Sequence, residues 1–228
     1  MSKPFRVFQD IYIIGSAEIS HPYDCCVYLI DVGELILLDS GAGRSFNRLV
    51  DNILSLGLSP EKISTVIATH CHIDHIGSLA KFKQKYGAQI IAHSLDAQAI
   101  ETGEGTGAEL YAVAYEPCPV DIKLQGAEQK LAFGGQEFVA VHIPGHTKGS
   151  IAIYTDMGSK RILFGQDIHG PYDAMWGGEP EKAITSLQRL IELKVDILCE
   201  GHFGIYQPAN EVKDYIEDYL CQLSTRHM

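Results

Sequence analysis

The sequence predicts a layered α/β protein built as one domain, and three observations carry that expectation. Short runs rich in Val, Ile, Leu and Phe alternate with segments whose apolar residues recur at helical spacing; the second half repeats this alternation; and residues able to bind metal stand just past the ends of apolar runs. No Pro/Ser-rich linker divides the 228 residues, so a single domain over residues 1–228 is expected.

Phe5 to Ile14 reads as a first strand ending at Gly15, followed by Cys25 to Asp31 and Glu34 to Leu38 as a pair joined by a tight Val32-Gly33 turn. That pair ends in Asp39-Ser40-Gly41, a carboxylate at the mouth of a buried strand. Phe46, Leu49, Val50, Ile53 and Leu54 then give a helix one buried face. The apolar run 64–68 is another strand, Ile76 to Tyr86 a helix stopped by Gly87, and Gln89 to Ala92 a strand. Residues 94–130 read as a short helix over Asp96 to Glu101 and then a loop with Gly103, Gly105 and Gly107. With Tyr111 and Tyr115, this segment is either a lid over the site or a solvated insertion. Its glycines lack the Gly-x-Gly-x-x-Gly spacing of a phosphate cradle. Glu137 to Ile143, Ser150 to Thr155, Arg161 to Phe164 and Val195 to Cys199 read as strands. Pro180 to Lys194 and Asn210 to Leu223 read as helices, the first with proline in its first turn.

Composition narrows the function. A 46% hydrophobic and 21% charged chain has core enough to hold a site rigidly. Its formal charge of −11 repels phosphate backbones and acidic membranes, so nucleic acid and membrane surfaces are not expected partners. No stretch approaches membrane-spanning length and the N-terminus lacks a signal-peptide pattern, which gives a cytoplasmic expectation. The six cysteines form no Cys-x-x-Cys pair and are expected reduced and mostly buried.

The chemistry concentrates in Thr69-His70-Cys71-His72-Ile73-Asp74-His75-Ile76-Gly77, three imidazoles and a carboxylate within six residues after a buried strand. Buried as ordinary core these groups would cost free energy unless a divalent cation sat among them. His70 and His72, two apart, point the same way in extended chain and can share one ion; Asp74 and His75, at the turn into a helix, can reach a second. His146 in a Pro/Gly turn, Asp167 and His202 also follow predicted strands, and strand ends on one sheet edge are neighbours in space. Seven side chains therefore make a two-ion site: His70, His72 and His146 for one, Asp74, His75 and His202 for the other, and Asp167 between them. Such a nitrogen and oxygen set suits zinc, and also iron or manganese. Asp39 is read as a partner that orients a metal-bound histidine, or else as a helix start. His169 and Tyr172 are candidates for the substrate pocket or for plain packing. His142 is expected on the opposite face, and it, His93, His21 and His227 are read as satisfied core or surface histidines.

These residues resemble the metallo-β-lactamase superfamily over essentially the whole chain: His70-x-His72-x-Asp74-His75, Gly145-His146-Thr147, Asp167 and Gly201-His202 occur in that family's order, and Leu38-Asp39-Ser40-Gly41 matches its early strand end. The resemblance implies a four-layer αβ/βα sandwich with a binuclear site at one edge. Asp167 as an oxygen bridge resembles the glyoxalase-II and lactonase branches, which disfavours antibiotic hydrolysis. The chain departs from glyoxalase II at Lys148, at Gln166 and in lacking the extended helical segment that binds glutathione. The expected function is hydrolysis of an ester, thioester or lactone of a small molecule. Two cations about 3.5–4 Å apart would bring a bridging water toward a pKa near 7, while Asp74 holds one ion and orients or relays the proton. The Thr69-His70-Cys71-His72 wording also resembles persulfide dioxygenases, which use a single iron, but no Gly-Arg-Thr-Asp-Phe stretch follows Asp167. A non-catalytic metal-binding module is the third alternative.

Overall fold

The computed structural model describes residues 2–226. Among these residues thirteen strands form two sheets. The first sheet runs β1 (Phe5–Phe8), β2 (Ile11–Gly15), β3 (Val27–Asp31), β4 (Leu35–Leu38), β5 (Ile63–Ile67), β6 (Gln89–His93) and β7 (Ile122–Leu124), paired in that order. The second has the order β13 (Ile205–Tyr206), β12 (Ile197–Glu200), β11 (Lys160–Gln166), β10 (Ile151–Met157), β9 (Gln136–His142), β8 (Glu128–Phe133). Strands β4 to β7 are parallel, as are β11 and β12; the other pairs are antiparallel.

Period-two alternation sorts the strand side chains into three cores. Ile36 and Leu38 of β4 join Phe138 and Ala140 of β9 between the sheets. Leu35 and Leu37 face the other way, against α1 (Phe46–Ser55), α3 (Leu79–Tyr86) and α4 (Ser94–Thr102). Val139 and Val141 meet α5 (Pro180–Glu192) and α6 (Ala209–Arg226) on the far side of the second sheet. The layers are therefore helix, sheet, sheet, helix. At about 1.5–3 kcal/mol for each buried Leu, Ile or Phe, the inter-sheet layer is the main reason the two halves hold one register.

Some expectations change in detail. The strand expected over Phe5 to Ile14 is a hairpin, because the polar pair Gln9-Asp10 turns the chain, with Gln9 at φ 41°. The helix expected over Ile76 to Tyr86 starts earlier and breaks. A one-turn α2 (Ile73–Ile76) precedes Gly77, whose amide donates to the Gly41 carbonyl at 2.8 Å. A Cβ at Gly77 would lie 2.2 Å from the Ala42 carbonyl carbon, so the loop after β4 docks on the helix and splits it. Strands β7, β8 and β13 were not expected. All three are sheet edges, and β8 shows an exposed, polar face that carries little hydrophobic signal.

Residues 94–130 contain α4, β7 and the start of β8, with a loop between helix and strand. That loop is anchored: Thr106 is fully buried and its carbonyl accepts from the Ile73 amide at 2.8 Å. The six cysteines are free, five buried and Cys221 exposed. Among the described residues no helix is long and apolar enough to cross a membrane.

Candidate metal centre

The ends of β4, β5, β11 and β12, with the β9–β10 connection, meet at one edge of the sandwich. Backbone bonds lock this edge across the sheets: Ile151 N to Thr69 O at 2.9 Å, Cys26 N to Gly201 O at 2.6 Å. The Tyr28 hydroxyl adds a donation to Glu200 O at 2.7 Å. The structure brings all seven expected side chains together there. One group of potential ligand atoms, within 4.8 Å of one another, comes from His70, His72 and His146; a second from Asp74, His75 and His202; and Asp167 joins His70 and His75 in a third.

The nitrogens that converge are those left over by other contacts. His75 Nδ1 pairs with Asp39 Oδ2 at 2.7 Å, and His146 Nδ1 with the Pro171 carbonyl at 2.7 Å, so each offers Nε2. His72 is reversed: its Nε2 donates to the Trp176 carbonyl at 3.2 Å, and its Nδ1 lies 2.8 Å from His146 Nε2. Asp39, fully buried, also accepts from the Thr69 amide and hydroxyl, both at 2.8 Å, and that hydroxyl lies 3.2 Å from His70 Nδ1. One carboxylate thus braces His70 and His75.

The donor atoms fit a divalent ion. His70 Nε2, His75 Nε2 and Asp167 Oδ1 are buried without any hydrogen-bond partner, a costly state for ordinary core. Asp167 Oδ1 lies 3.2 Å from His75 Nε2, and its Oδ2 lies 3.3 Å from His202 Nε2, 3.4 Å from His146 Nε2 and 4.0 Å from His70 Nε2. Asp74 Oδ2 is 3.3 Å from His202 Nε2 and 3.6 Å from His75 Nε2. Ligands on a tetrahedral ion with bonds of about 2.1 Å stand about 3.4 Å apart, the spacing found. Burial pushes the Cys25 thiol far above its usual pKa.

Electrostatics divide the histidines. Burial disfavours charge on His70, His72 and His146, holding His146 down to about 4, so all three present lone pairs at neutral pH. At His75 and His202 burial acts the same way, but neighbouring acidic groups, Asp167 among them, outweigh it; His202 is raised to about 10. Asp167 is held well below the usual carboxylate range, its burial outweighed by His75 and His202.

Two positions at this edge carry backbone constraint. Asp39 and Gln166 adopt positive φ, 62° and 49°, a region that favours glycine. At Gly201 a Cβ would lie 2.5 Å from Asp167 Oδ1, so glycine is needed for the carboxylate to sit where it does.

Of the pocket candidates, His169 lines a cavity of about 420 Å³ over the cluster, and its Nδ1 pairs with Glu200 Oε1 at 2.7 Å. Tyr172 turns its hydroxyl to the Ile168 carbonyl and lines neighbouring cavities instead. His142 stays out of the cluster, stacked on His93 with ring centroids 4.0 Å apart. His93, against the expectation of a satisfied histidine, has a buried Nε2 without a partner. His21 is half-buried and accepts from the Tyr23 amide, while His227 lies outside the described residues.

Two buried carboxylates that hold the loops of the cluster escaped sequence reasoning. Asp96, buried, accepts from the Cys71 amide at 3.0 Å, the Thr147 hydroxyl at 2.6 Å and the Gly149 amide at 2.7 Å, tying the His70–His75 loop to the His146 turn. Glu200, fully buried, accepts from the amides of His202 and Phe203 and from His169. Its signal, a carboxylate ending a buried strand, is the one that marked Asp39.

Residues 22–202 match the profile of the metallo-beta-lactamase superfamily. The chain belongs to this superfamily. Its members are largely hydrolytic metalloenzymes, and the relatives found include enzymes of that kind. A hydroxyacylglutathione hydrolase of Xanthomonas euvesicatoria is 31% identical over 173 residues, 75% of this chain and 56% of that one. A probable metallo-hydrolase of Bacillus subtilis, YqgX, is 27% identical over 77% of this chain and 82% of its own length. The chain spans about half the length of the hydroxyacylglutathione hydrolases it matches. Among solved structures, the metallo-beta-lactamase GOB-18 of Elizabethkingia meningoseptica superposes with a TM-score of 0.81 at 23% identity, covering 99% of this chain and 90% of that one. At that identity the likeness speaks for the fold alone.

Proposed function

We propose that this protein hydrolyses an ester, thioester or lactone of a small molecule at a site holding two divalent ions, most simply zinc. The observation that carries the reading is Asp167. It turns Oδ1 toward His75 and Oδ2 toward His146 and His202, so that one carboxylate faces both ligand groups. His70, His72 and His146 would hold one ion, and Asp74, His75 and His202 the other. When bound, such ions supply Lewis acidity toward a carbonyl and lower the pKa of water to about 7.

The chain's own residues do the rest. Asp39 and the carbonyls of Pro171 and Trp176 fix which nitrogen each histidine offers. Asp74 turns Oδ2 toward His75 and His202, leaving Oδ1 to orient the attacking water and take its proton. No serine or cysteine nucleophile is needed. His202, with 27% of its side chain exposed, marks the side from which substrate enters.

Metal analysis after reconstitution under defined supply, coupled to turnover of a para-nitrophenyl ester and a simple lactone, tests this. About two zinc per chain with chelator-sensitive turnover supports the reading. One iron per chain with oxygen uptake on persulfide would replace it with the dioxygenase, and metal binding without any turnover with a binding module.

A further inference from the structure

We propose that the cavity over the cluster selects an uncharged substrate bearing an apolar group, and turns away esters that carry a carboxylate or phosphate remote from the reacting carbonyl. This rests on the hydrolytic reading above and narrows its substrate.

The cavity has two kinds of surface. Its floor is the ligand cluster; its walls are mostly apolar, Ala17, Tyr111, Pro171, Trp176 and Phe203, with His169 and Thr106 between them. The walls come from both halves and meet over the site, where a Cβ at Gly107 would lie 2.9 Å from the Trp176 ring. Phe203 at the mouth is 58% exposed, and Leu110 and Met175, next in sequence to Tyr111 and Trp176, are 64% and 76% exposed. Such a run of uncovered apolar side chains beside a site gains by covering hydrocarbon.

Charge gives the other half of the argument. Among the described residues lining this cavity, none is Lys or Arg; the positive charge of the two ions would lie on the floor, at the reacting carbonyl and not beside a group remote from it. Arg44 reaches the Tyr111 wall but donates Nη2 to the carbonyls of Tyr111 and Ala112 and lays its guanidinium over Tyr23. The whole chain carries −11. An anionic tail held away from the floor would therefore lose its water on entering and meet no Lys or Arg on the wall.

The test compares para-nitrophenyl hexanoate with the mono-para-nitrophenyl ester of adipic acid, equal in length and differing by a terminal carboxylate, on the metal-reconstituted full chain. The hexanoate should have a kcat/KM higher by about tenfold or more, the scale of one pocket contact; equal or reversed values overturn the proposal. Phe203→Ala should lower the hexanoate-to-acetate ratio of kcat/KM by about tenfold, and an unchanged ratio counts against it. Ala17→Arg, at an exposed position, should shift preference toward the adipate ester, and no shift would contradict the charge argument. Should no ester be hydrolysed, the hydrolytic reading falls while this inference is still read by calorimetry: hexanamide should bind more tightly than adipamate, and the reverse order overturns it.

Discussion

The two halves of the molecule build the same site in different ways. The first half delivers His70, His72, Asp74 and His75 as one contiguous, buried block, and a single carboxylate, Asp39, braces both ends of it through Thr69 and His75. The second half delivers His146, Asp167 and His202 from three separate connections, two of them with their own support: the Pro171 carbonyl for His146 and Glu200 for the backbone at His202. A brace in the first half should therefore matter to both proposed ions, and a brace in the second half to one.

The largest effect is expected at the residue the two groups share. Asp167→Ala should abolish turnover, by about a thousandfold or more, and lower the metal content measured on the purified protein; near-normal metal content and rate would mean that the halves do not meet through this carboxylate. Asp39→Ala should weaken both ions by about 10–100-fold in chelator competition, the usual cost of losing an orienting partner. Glu200→Gln should weaken only one, so loss of both in Glu200→Gln, or of one in Asp39→Ala, would break this contrast between the halves.

Asp96 sharpens the comparison because it stitches the halves. Asp96→Ala leaves the buried amides of Cys71 and Gly149 unpaired and leaves the Thr147 hydroxyl only Ser150 as partner, and should cost about 2–4 kcal/mol of unfolding free energy in denaturant titration. Metal should recover part of this by binding only the native state. The gentlest probe is pH. In the metal-free protein, His75 and His202 are raised and keep protons at neutral pH, His202 up to about 10. Their ion pairs support the metal-free fold most fully below the ordinary value of 6.5 and are lost as pH rises through the raised values. An arriving ion must displace those protons, so affinity should rise with pH, about tenfold per unit for each proton released. Calorimetry in buffers of different ionisation enthalpy counts them; no proton release would contradict the electrostatics assigned to the second group.

The same contrast explains what could be read from the sequence. His-x-His-x-Asp-His is a local pattern whose spacing alone brings ligands together, and strand-end positions marked Asp39, His146, Asp167 and His202. Asp96 was hidden because its partners, Thr147 and Gly149, lie about fifty residues away, linked to it only by the tertiary fold. Trp176 and Pro171 act on the cluster through backbone carbonyls, which no side-chain pattern reports. The unexpected strands β7, β8 and β13 are edges, where one side of the ladder is unpaired and hydrophobic alternation fades. The break at Gly77 follows from a contact with Ala42, thirty-five positions earlier.

The most direct test of the account is anomalous diffraction at the zinc edge from crystals of the zinc-loaded chain. Two peaks about 3.5–4 Å apart are expected, one among His70, His72 and His146 and one among Asp74, His75 and His202, with an oxygen of Asp167 on each. A single peak, or two peaks that Asp167 does not join, would contradict it.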